Sequence, residues 1–442
     1  MDKLIMVAQL LTALSLLVFV HELGHFMAAK AFGMRVNKFF IFFDAWGKKI
    51  FSKKIGDTEY GIGILPLGGY VQIAGMIDET QDASTMSAEP EEWEFRAKPA
   101  WQRFIVMIGG IVMNVITGFL IFAMYLHTFE REYIPMSEIN KDGIFAYPLA
   151  QEIGLRTGDK IVAINGNTPD RFKDMASVRL FLGGTLTVER NGQQHKVVIP
   201  DDFFKRLKAS KKQFIEPMYQ DVKIAEVVAG RPAAAAGLQA GDQIVGINEK
   251  KIDRFADLVE TLDANKNGQV QLSVVRKGST PIPFTSSVDS AGKLGFVADF
   301  AYRYQYTPYS WGSAIRYSFS EGIDQILGQA LSIGMLVTGR LPVRESLTSP
   351  VGIAKLYGGV WNWDKFWSLT GLLSFALAVM NILPIPALDG GHMVFLGIEM
   401  ITRRRPSEKM LERAQIVGMI LLLALMVFAF GNDIYKSIVG EL

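Results

Sequence analysis

The 442-residue chain contains no cysteine. That excludes a disulfide framework, a thiolate-ligated zinc site and a cysteine nucleophile. It leaves the redox compartment open, because a thiol-free chain tolerates oxidising or reducing surroundings. Histidine is also scarce, with five in the whole chain. Charge is sparse, at 20% Asp, Glu, Lys and Arg against about 25% in soluble domains. The net charge of +2 offers no electrostatic basis for nucleic-acid binding. The hydrophobic fraction of 49% is too high for a disordered chain. It is too low for a protein that is membrane throughout, and it suits a mixture of spans and soluble domains.

The apolar residues lie in blocks. Leu4 to Val20 carries no charge, Phe104 to Leu126 and Phe366 to Leu388 are uncharged, and so is Ala414 to Asn432. Each approaches or exceeds the ~20 residues needed to cross a bilayer core, so four transmembrane helices are expected. The first does not read as a cleaved signal peptide, because no small-residue cleavage site follows it and His21 and Glu22 interrupt its end. Basic residues set the orientation. Arg403, Arg404, Arg405, Lys409 and Arg413 crowd the loop between spans three and four, and Lys30 to Lys54 is also lysine-rich. Both should be cytoplasmic, with the two termini and the stretch 127–310 on the other side.

That stretch repeats itself. Gly154-Leu155 through Gly158-Asp159 to Ile164-Asn165 matches Gly237-Leu238 through Gly241-Asp242 to Ile247-Asn248, at a constant offset of 83 residues. Each copy reads as a helix end, a Gly-Asp turn and an alternating strand, and the pattern resembles PDZ domains. The segment 36–75 reads as β-hairpins, with unusually dense aromatics for a cytoplasmic loop. Residues 77–95 read as an exposed acidic loop. Within 310–365, Ile323, Ile326, Leu327, Ala330, Leu331, Gly334 and Val337 follow helical spacing, and the short uncharged run there favours an interfacial helix over a span.

The fold class expected is therefore a polytopic α-helical membrane protein with four spans, a membrane-associated β-hairpin region and two PDZ-like α+β domains. The expected divisions are a first span with its motif (1–35), the hairpin region and loop (36–100) and a second span (101–126). Two PDZ-like domains (127–214 and 215–305) and an interfacial helical region (306–365) follow. Then come a broken third span (366–397), a cytoplasmic loop (398–413) and a fourth span (414–434).

The chemistry begins at His21-Glu22-Leu23-Gly24-His25. On a helix, residues i and i+4 share a face, so both imidazoles can bind one metal ion while Glu22 acts as general base. Ionisable groups inside a membrane helix are costly and usually functional. Catalytic zinc takes three protein ligands and keeps one position open. The third is expected from Asn381-Ile382-Leu383-Pro384-Ile385-Pro386-Ala387-Leu388-Asp389-Gly390-Gly391-His392. Asp389 is the first charge after a long uncharged run. Pro384 and Pro386 prevent a regular helix just before it, and irregular backbone at membrane depth must line a protein cavity. Asp389 is the expected ligand; His392 is a rival better suited to packing. Asn381 is a candidate for binding the substrate backbone or for holding helices together.

Together, the H-E-x-x-H motif, the Gly61-Ile62-Gly63-Ile64-Leu65-Pro66-Leu67-Gly68-Gly69-Tyr70 segment, the two PDZ-like repeats and the Asn381 to Gly391 segment resemble the site-2 protease family of intramembrane zinc metalloproteases. The tandem repeats resemble the RseP-type branch of Gram-negative inner membranes. Ser349 to Ala354 matches a further segment of that family. The resemblance implies zinc (Zn2+) held by His21, His25 and Asp389, with Glu22 activating water. It also implies a membrane-associated 36–75 region and cleavage of single-span membrane substrates of the anti-sigma factor type, and of remnant signal peptides, within the lipid bilayer. A transmembrane substrate hides its peptide bonds in helical hydrogen bonds, so cleavage needs an extended stretch. An edge strand within 60–74 is expected to supply strand addition, with Gly61, Ile62, Gly63, Ile64 and Leu65 as the candidate substrate-binding residues. Asn381, Pro384 and Pro386 are expected on the other side. The PDZ-like pair is expected chiefly to exclude substrates with large outer domains.

Overall fold

A computed structural model describes residues 2–44, 47–65, 68–76, 89–210, 214–218, 222–252, 255–299, 306–343 and 348–439. Ala45-Trp46 and the Pro66-Leu67 pair of the hairpin region and most of the acidic 77–95 loop lie outside them. The chain divides into two compact units, Met1–Arg131 with Tyr309–Leu442, and Glu132–Pro308.

The first unit is built on helices, most of them long and apolar: α1 (Asp2–Ala31), α2 (Ala100–Thr128), α3 (Trp311–Val337), α4 (Pro350–Tyr357), α5 (Trp363–Ile382), α6 (Asp389–Thr402) and α7 (Glu408–Val439). Four of them, α1, α2, α5 and α7, are long and apolar enough to cross a membrane. The helix α3 is 27 residues long and is not among the four. Sequence spacing did not reveal α4, which is capped by Ser349; the Ser349 hydroxyl accepts from the Val351 and Gly352 amides and donates to Asp433 of α7 at 2.5 Å.

The expected third span is two helices. Helix α5 stops at Ile382 and α6 starts at Asp389. Neither Pro384 nor Pro386 has an N–H to continue the ladder, and Ala387 adopts a left-handed backbone, φ 87°, a costly conformation for a residue with a Cβ.

Small residues let the helices approach. A Cβ on Gly24 of α1 would lie 2.2 Å from the Gly109 carbonyl oxygen of α2, so the two backbones touch there. On α2, Gly118 receives the Phe375 ring, and on α5, Gly371 receives Phe122. Phe122 and Phe375 meet edge-to-face, centroids 5.4 Å apart.

Between α1 and α2 lies a four-stranded sheet: β1 (Val36–Phe40), β2 (Lys49–Ile55), β3 (Thr58–Gly63) and β4 (Tyr70–Ile73), in the order β2-β3-β1-β4. Val36, Phe39, Val71 and Ile73 share a core with Ala29 of α1, Val106 and Met107 of α2 and Leu396 of α6. The sheet is thereby fixed to the helix that carries His21 and His25 and to α2 and α6.

The second unit holds the repeats. The first copy contributes β5 (Lys160–Ile164), β6 (Thr185–Arg190) and β7 (Gln193–Val198), an antiparallel sheet. The second contributes β8 (Val222–Val227), β9 (Gln243–Ile247), β10 (Gln269–Val275), β11 (Ile282–Ser287) and β12 (Phe296–Asp299), ordered β11-β10-β9-β8-β12. The repeated Gly-Asp turn has the same chemistry twice. Asp159 accepts two bonds from Arg190, both 2.7 Å, and one from the Arg156 amide at 2.8 Å. Asp242 accepts from Arg276 at 2.7 and 2.8 Å and from the Gln239 amide at 2.9 Å. Each arginine also donates to the carbonyl of the repeat's first glycine, Gly154 or Gly237, at 2.9 Å. The closing asparagines, Asn165 and Asn248, have left-handed backbones, φ 52° and 47°, and each side-chain oxygen accepts a strand amide, from Thr185 or Gln271.

Burial alone would raise the Asp242 pKa, but the Arg276 hydrogen bonds and charge and the Gln239 amide outweigh it, so the carboxyl titrates below its ordinary range. A depressed folded pKa gives stability that is present above the unfolded value of ~3.9 and is lost as pH falls through the folded one. We expect the amides of β9 in the full chain to exchange faster as pH drops below about 4, after correction for intrinsic rates. Asp242→Asn should exchange faster at neutral pH and lose most of that acid dependence. An unchanged profile in Asp242→Asn would show the pair to be passive.

Candidate active site

His21 and His25 project from one face of α1, four residues apart, and Asp389 opens the first turn of α6. Their donor atoms converge. His21 Nε2 lies 3.2 Å from His25 Nε2 and 3.1 Å from Asp389 Oδ2, and His25 Nε2 lies 3.4 Å from that oxygen. The imidazole planes stand at 85° to one another. Among the described residues these three are the group of metal-binding side chains whose ligand atoms converge.

The set fits a tetrahedral ion. Three donors around zinc at about 2.0–2.1 Å are spaced about 3.3 Å apart, which is the spacing found. Asp389 Oδ2 is buried and accepts no hydrogen bond of proper geometry, despite two nitrogens close by. A buried carboxylate oxygen without a donor is expensive, and a cation among the three atoms removes that cost. His25 Nδ1 lies 2.8 Å from the Val106 carbonyl, which can only accept. The proton of neutral His25 is therefore on Nδ1, and its Nε2 lone pair faces the other two donors.

Glycine makes this geometry possible. A Cβ on Gly110 of α2 would lie 2.5 Å from His25 Nε2 and 2.8 Å from His21 Nδ1. Position 110 therefore has to be bare for both rings to pack against α2. The contact of Gly24 with Gly109 brings the Val106 carbonyl within reach of His25.

The three donors open into a cavity that is also lined by Glu22, Tyr70, Val71, Ala387, Leu388 and His392. His392 reaches the cavity wall but is not one of the three converging residues, which leaves Asp389 as the carboxylate partner of the histidines. Asn381 stands at the end of α5 with its amide nitrogen 3.4 Å from His21 Nε2. Pro384 and Pro386 make the break that delivers Asp389, and a Cβ on Gly418 of α7 would meet the Pro386 carbonyl oxygen at 1.4 Å, so α7 packs directly on that break.

The structure places Gly61, Ile62 and Gly63 differently from expectation. They lie in β3, an inner strand. Gly61 pairs with Phe40 of β1 and Ser52 of β2, and Gly63 pairs with Lys49. Leu65 exchanges backbone hydrogen bonds with Phe43, and Ile64 precedes it. A Cβ on Gly61 would collide with the Phe40 ring and one on Gly63 with the Phe43 backbone, so these glycines serve close strand packing. The sheet edge facing the cavity is β4, whose Tyr70, Val71 and Ile73 line it. Hydropathy could not rank four short strands by position. Sequence reading also passed over Asn114 and Gln415. Both are buried polar residues in apolar spans, and that polarity was the available signal; Gln415 lines the cavity.

A model of peptidase family M50 matches residues 9–425. Protease RseP of Yersinia pestis is 30% identical over 96% of this chain and 97% of its own length. Regulator of sigma-E protease RseP of Escherichia coli K12 is 30% identical with the same coverage, as is the regulator of sigma E protease of Haemophilus influenzae. With the family match running through all four apolar helices and the relatives aligned nearly end to end, the chain belongs to peptidase family M50, the site-2 protease family of membrane zinc metalloproteases.

Proposed function

We propose that this chain cuts peptide bonds inside the transmembrane segments of single-span proteins, with His21, His25 and Asp389 holding zinc and Glu22 as general base. The observation that carries the reading is the convergence of these three donors, from a helix apolar enough to span a membrane and from the helix that follows a broken one. An anchored peptidase for soluble peptides would need no such placement, and a PDZ scaffold would need no triad. Zinc, when bound, supplies Lewis-acid polarisation of the scissile carbonyl and activation of water. Glu22, on the cavity wall beside the triad, accepts the proton of the attacking water and delivers it to the departing amide nitrogen. Asn381 is positioned to hydrogen-bond the polarised carbonyl or the substrate backbone next to it.

Substrate must be unwound before it is cut. The outer edge of β4 offers backbone donors and acceptors at the cavity, which suits strand addition by an extended segment. Neighbouring residues in a strand point their N–H groups to opposite sides. Of Val71→Pro and Gln72→Pro, the one whose N–H faces away from β1 should slow cleavage several-fold with zinc content unchanged. If both left cleavage untouched, β4 would not be the docking edge. On the other edge, exposed Ile50, Phe51 and Ile55 of β2 interleave with Lys49, Lys53 and Lys54, a composition suited to a membrane interface.

The Gly-Asp repeats within 132–308 read as PDZ-like domains on the extracytoplasmic side of a bacterial inner membrane, as the lysine and arginine distribution implies. Their role in this reading is to exclude substrates that still carry large outer domains. The relatives' names point to substrates of the anti-sigma factor type, trimmed beforehand, and remnant signal peptides present the same chemistry. Purified full-length enzyme should cut a trimmed single-span substrate and spare both its untrimmed form and a soluble peptide of the same sequence. Removing 132–308 should admit the untrimmed form; continued protection of it would end the exclusion role.

A further inference from the structure

We infer that Asn114 of α2 is a positioning residue for the metal centre, its side-chain oxygen accepting a hydrogen bond from His21 Nδ1–H and so turning the His21 Nε2 lone pair toward the metal. The inference rests on the reading of His21 as a ligand and deepens it.

Asn114 is 1% exposed, on a helix apolar enough to span a membrane. Its side-chain amide lies 3.2 Å from His21 Nδ1. The other amide atom is buried without a partner. An amide can present oxygen or nitrogen at the same place by a half-turn, and here no second hydrogen bond holds either orientation. His21 therefore decides. A neutral imidazole carries one proton. If the amide donated to Nδ1, that proton would sit on Nε2, pointing at His25 Nε2 and Asp389 Oδ2, 3.2 and 3.1 Å away, and His21 could not ligate. With the oxygen toward Nδ1, the proton sits on Nδ1 and Nε2 is free for the ion. His25 reaches the same state through the Val106 carbonyl. The two ligands of α1 thus take their orientation from two points on α2, one from the backbone and one from a side chain.

The position of Asn114 is itself fixed. Its backbone carbonyl oxygen accepts from the Ser374 hydroxyl of α5 at 2.7 Å. Gly110 and Gly118, one turn to either side, are bare against the imidazoles and against Phe375. Acceptors behind metal-bound histidines typically contribute 10–100-fold to metal affinity.

The test compares zinc affinity of full-length protein in detergent, by competition with a chromophoric chelator, for wild type, Asn114→Leu, Asn114→Asp and His21→Ala. Leucine matches asparagine in shape and has no acceptor; aspartate keeps one. We expect Asn114→Leu to lose about 10–100-fold in zinc affinity, and Asn114→Asp to stay within a few-fold of wild type. Wild-type affinity in Asn114→Leu, with affinity lost in His21→Ala, overturns the inference and leaves the ligand reading standing. Wild-type affinity in His21→Ala overturns the ligand reading. Should Asn114→Leu fail to fold, nitrogen-15 NMR of histidine-labelled wild-type protein decides, with the His21 signals identified by their loss in His21→Ala. The Nδ1–H tautomer in zinc-loaded protein, together with a coupling from that proton to the Asn114 side chain, supports the inference, and absence of that coupling overturns it.

Discussion

Glu22→Gln should bind zinc like the wild type and cut a single-span substrate about 10²–10⁴-fold more slowly. Glutamine keeps the size and polarity of glutamate and cannot take a proton from water. The converging donors are His21, His25 and Asp389, so the substitution leaves the metal-holding set complete. Zinc per chain by elemental analysis and cleavage in detergent or proteoliposomes report the two quantities separately. Equal rates in the two proteins would remove Glu22 from the chemistry. Loss of zinc along with activity would make it a ligand.

Gly110→Ala should abolish tight zinc binding, lowering affinity by about 100-fold or more, in a protein that is still helical. The new methyl would stand 2.5 Å from His25 Nε2 and 2.7 Å from His21 Cε1. Neither ring can easily retreat. His25 is tied to the Val106 carbonyl and His21 lies against Asn114, and off-rotamer imidazoles would lose the spacing that three donors around one ion require. Gly397→Ala of α6 is the matched control, because a Cβ there meets nothing within 4 Å. It should leave zinc binding intact and stabilise the helix slightly, by about 0.5–1 kcal/mol. Circular dichroism checks the fold of both variants and chelator competition checks the metal. Wild-type affinity in Gly110→Ala would mean that the α1–α2 contact can open without consequence for the site.

The contrast between these two positions shows what could be read from the chain. Glu22 stands inside a motif whose spacing states its own geometry, because residues four apart on a helix must share a face. Asp389 was legible through chemistry: a charge directly after two prolines at the end of an apolar run. The repeats at 154–165 and 237–248 were legible as a turn followed by a strand. Their arginines were not marked out, because Arg190 and Arg276 lie 31 and 34 residues from the aspartates they bind and nothing local sets them apart from other surface cations. Gly110 was one glycine among 42, and its role exists only because α1 crosses α2 at that point.

The sheet teaches the same lesson. Alternation and turn residues between 36 and 75 announced strands, and they could not state the order β2-β3-β1-β4. That order puts β3 inside and β4 against the cavity, moving the proposed docking edge away from Gly61–Leu65. The core accounts for the pairing of β1 with β4, since Val36, Phe39, Val71 and Ile73 are all buried with residues of α1, α2 and α6.

By itself, then, the sequence determined the family, the four apolar helices, the pair of repeats and the three chemical groups suited to zinc. Each is written in local spacing or in the sum of apolar residues along a segment. Only the tertiary structure decided which strand borders the cavity, and that α2 lies against both histidines with Gly110 bare and Asn114 at His21. Those features depend on groups far apart in the chain meeting within 2–4 Å, and the packing of helix on helix sets such distances.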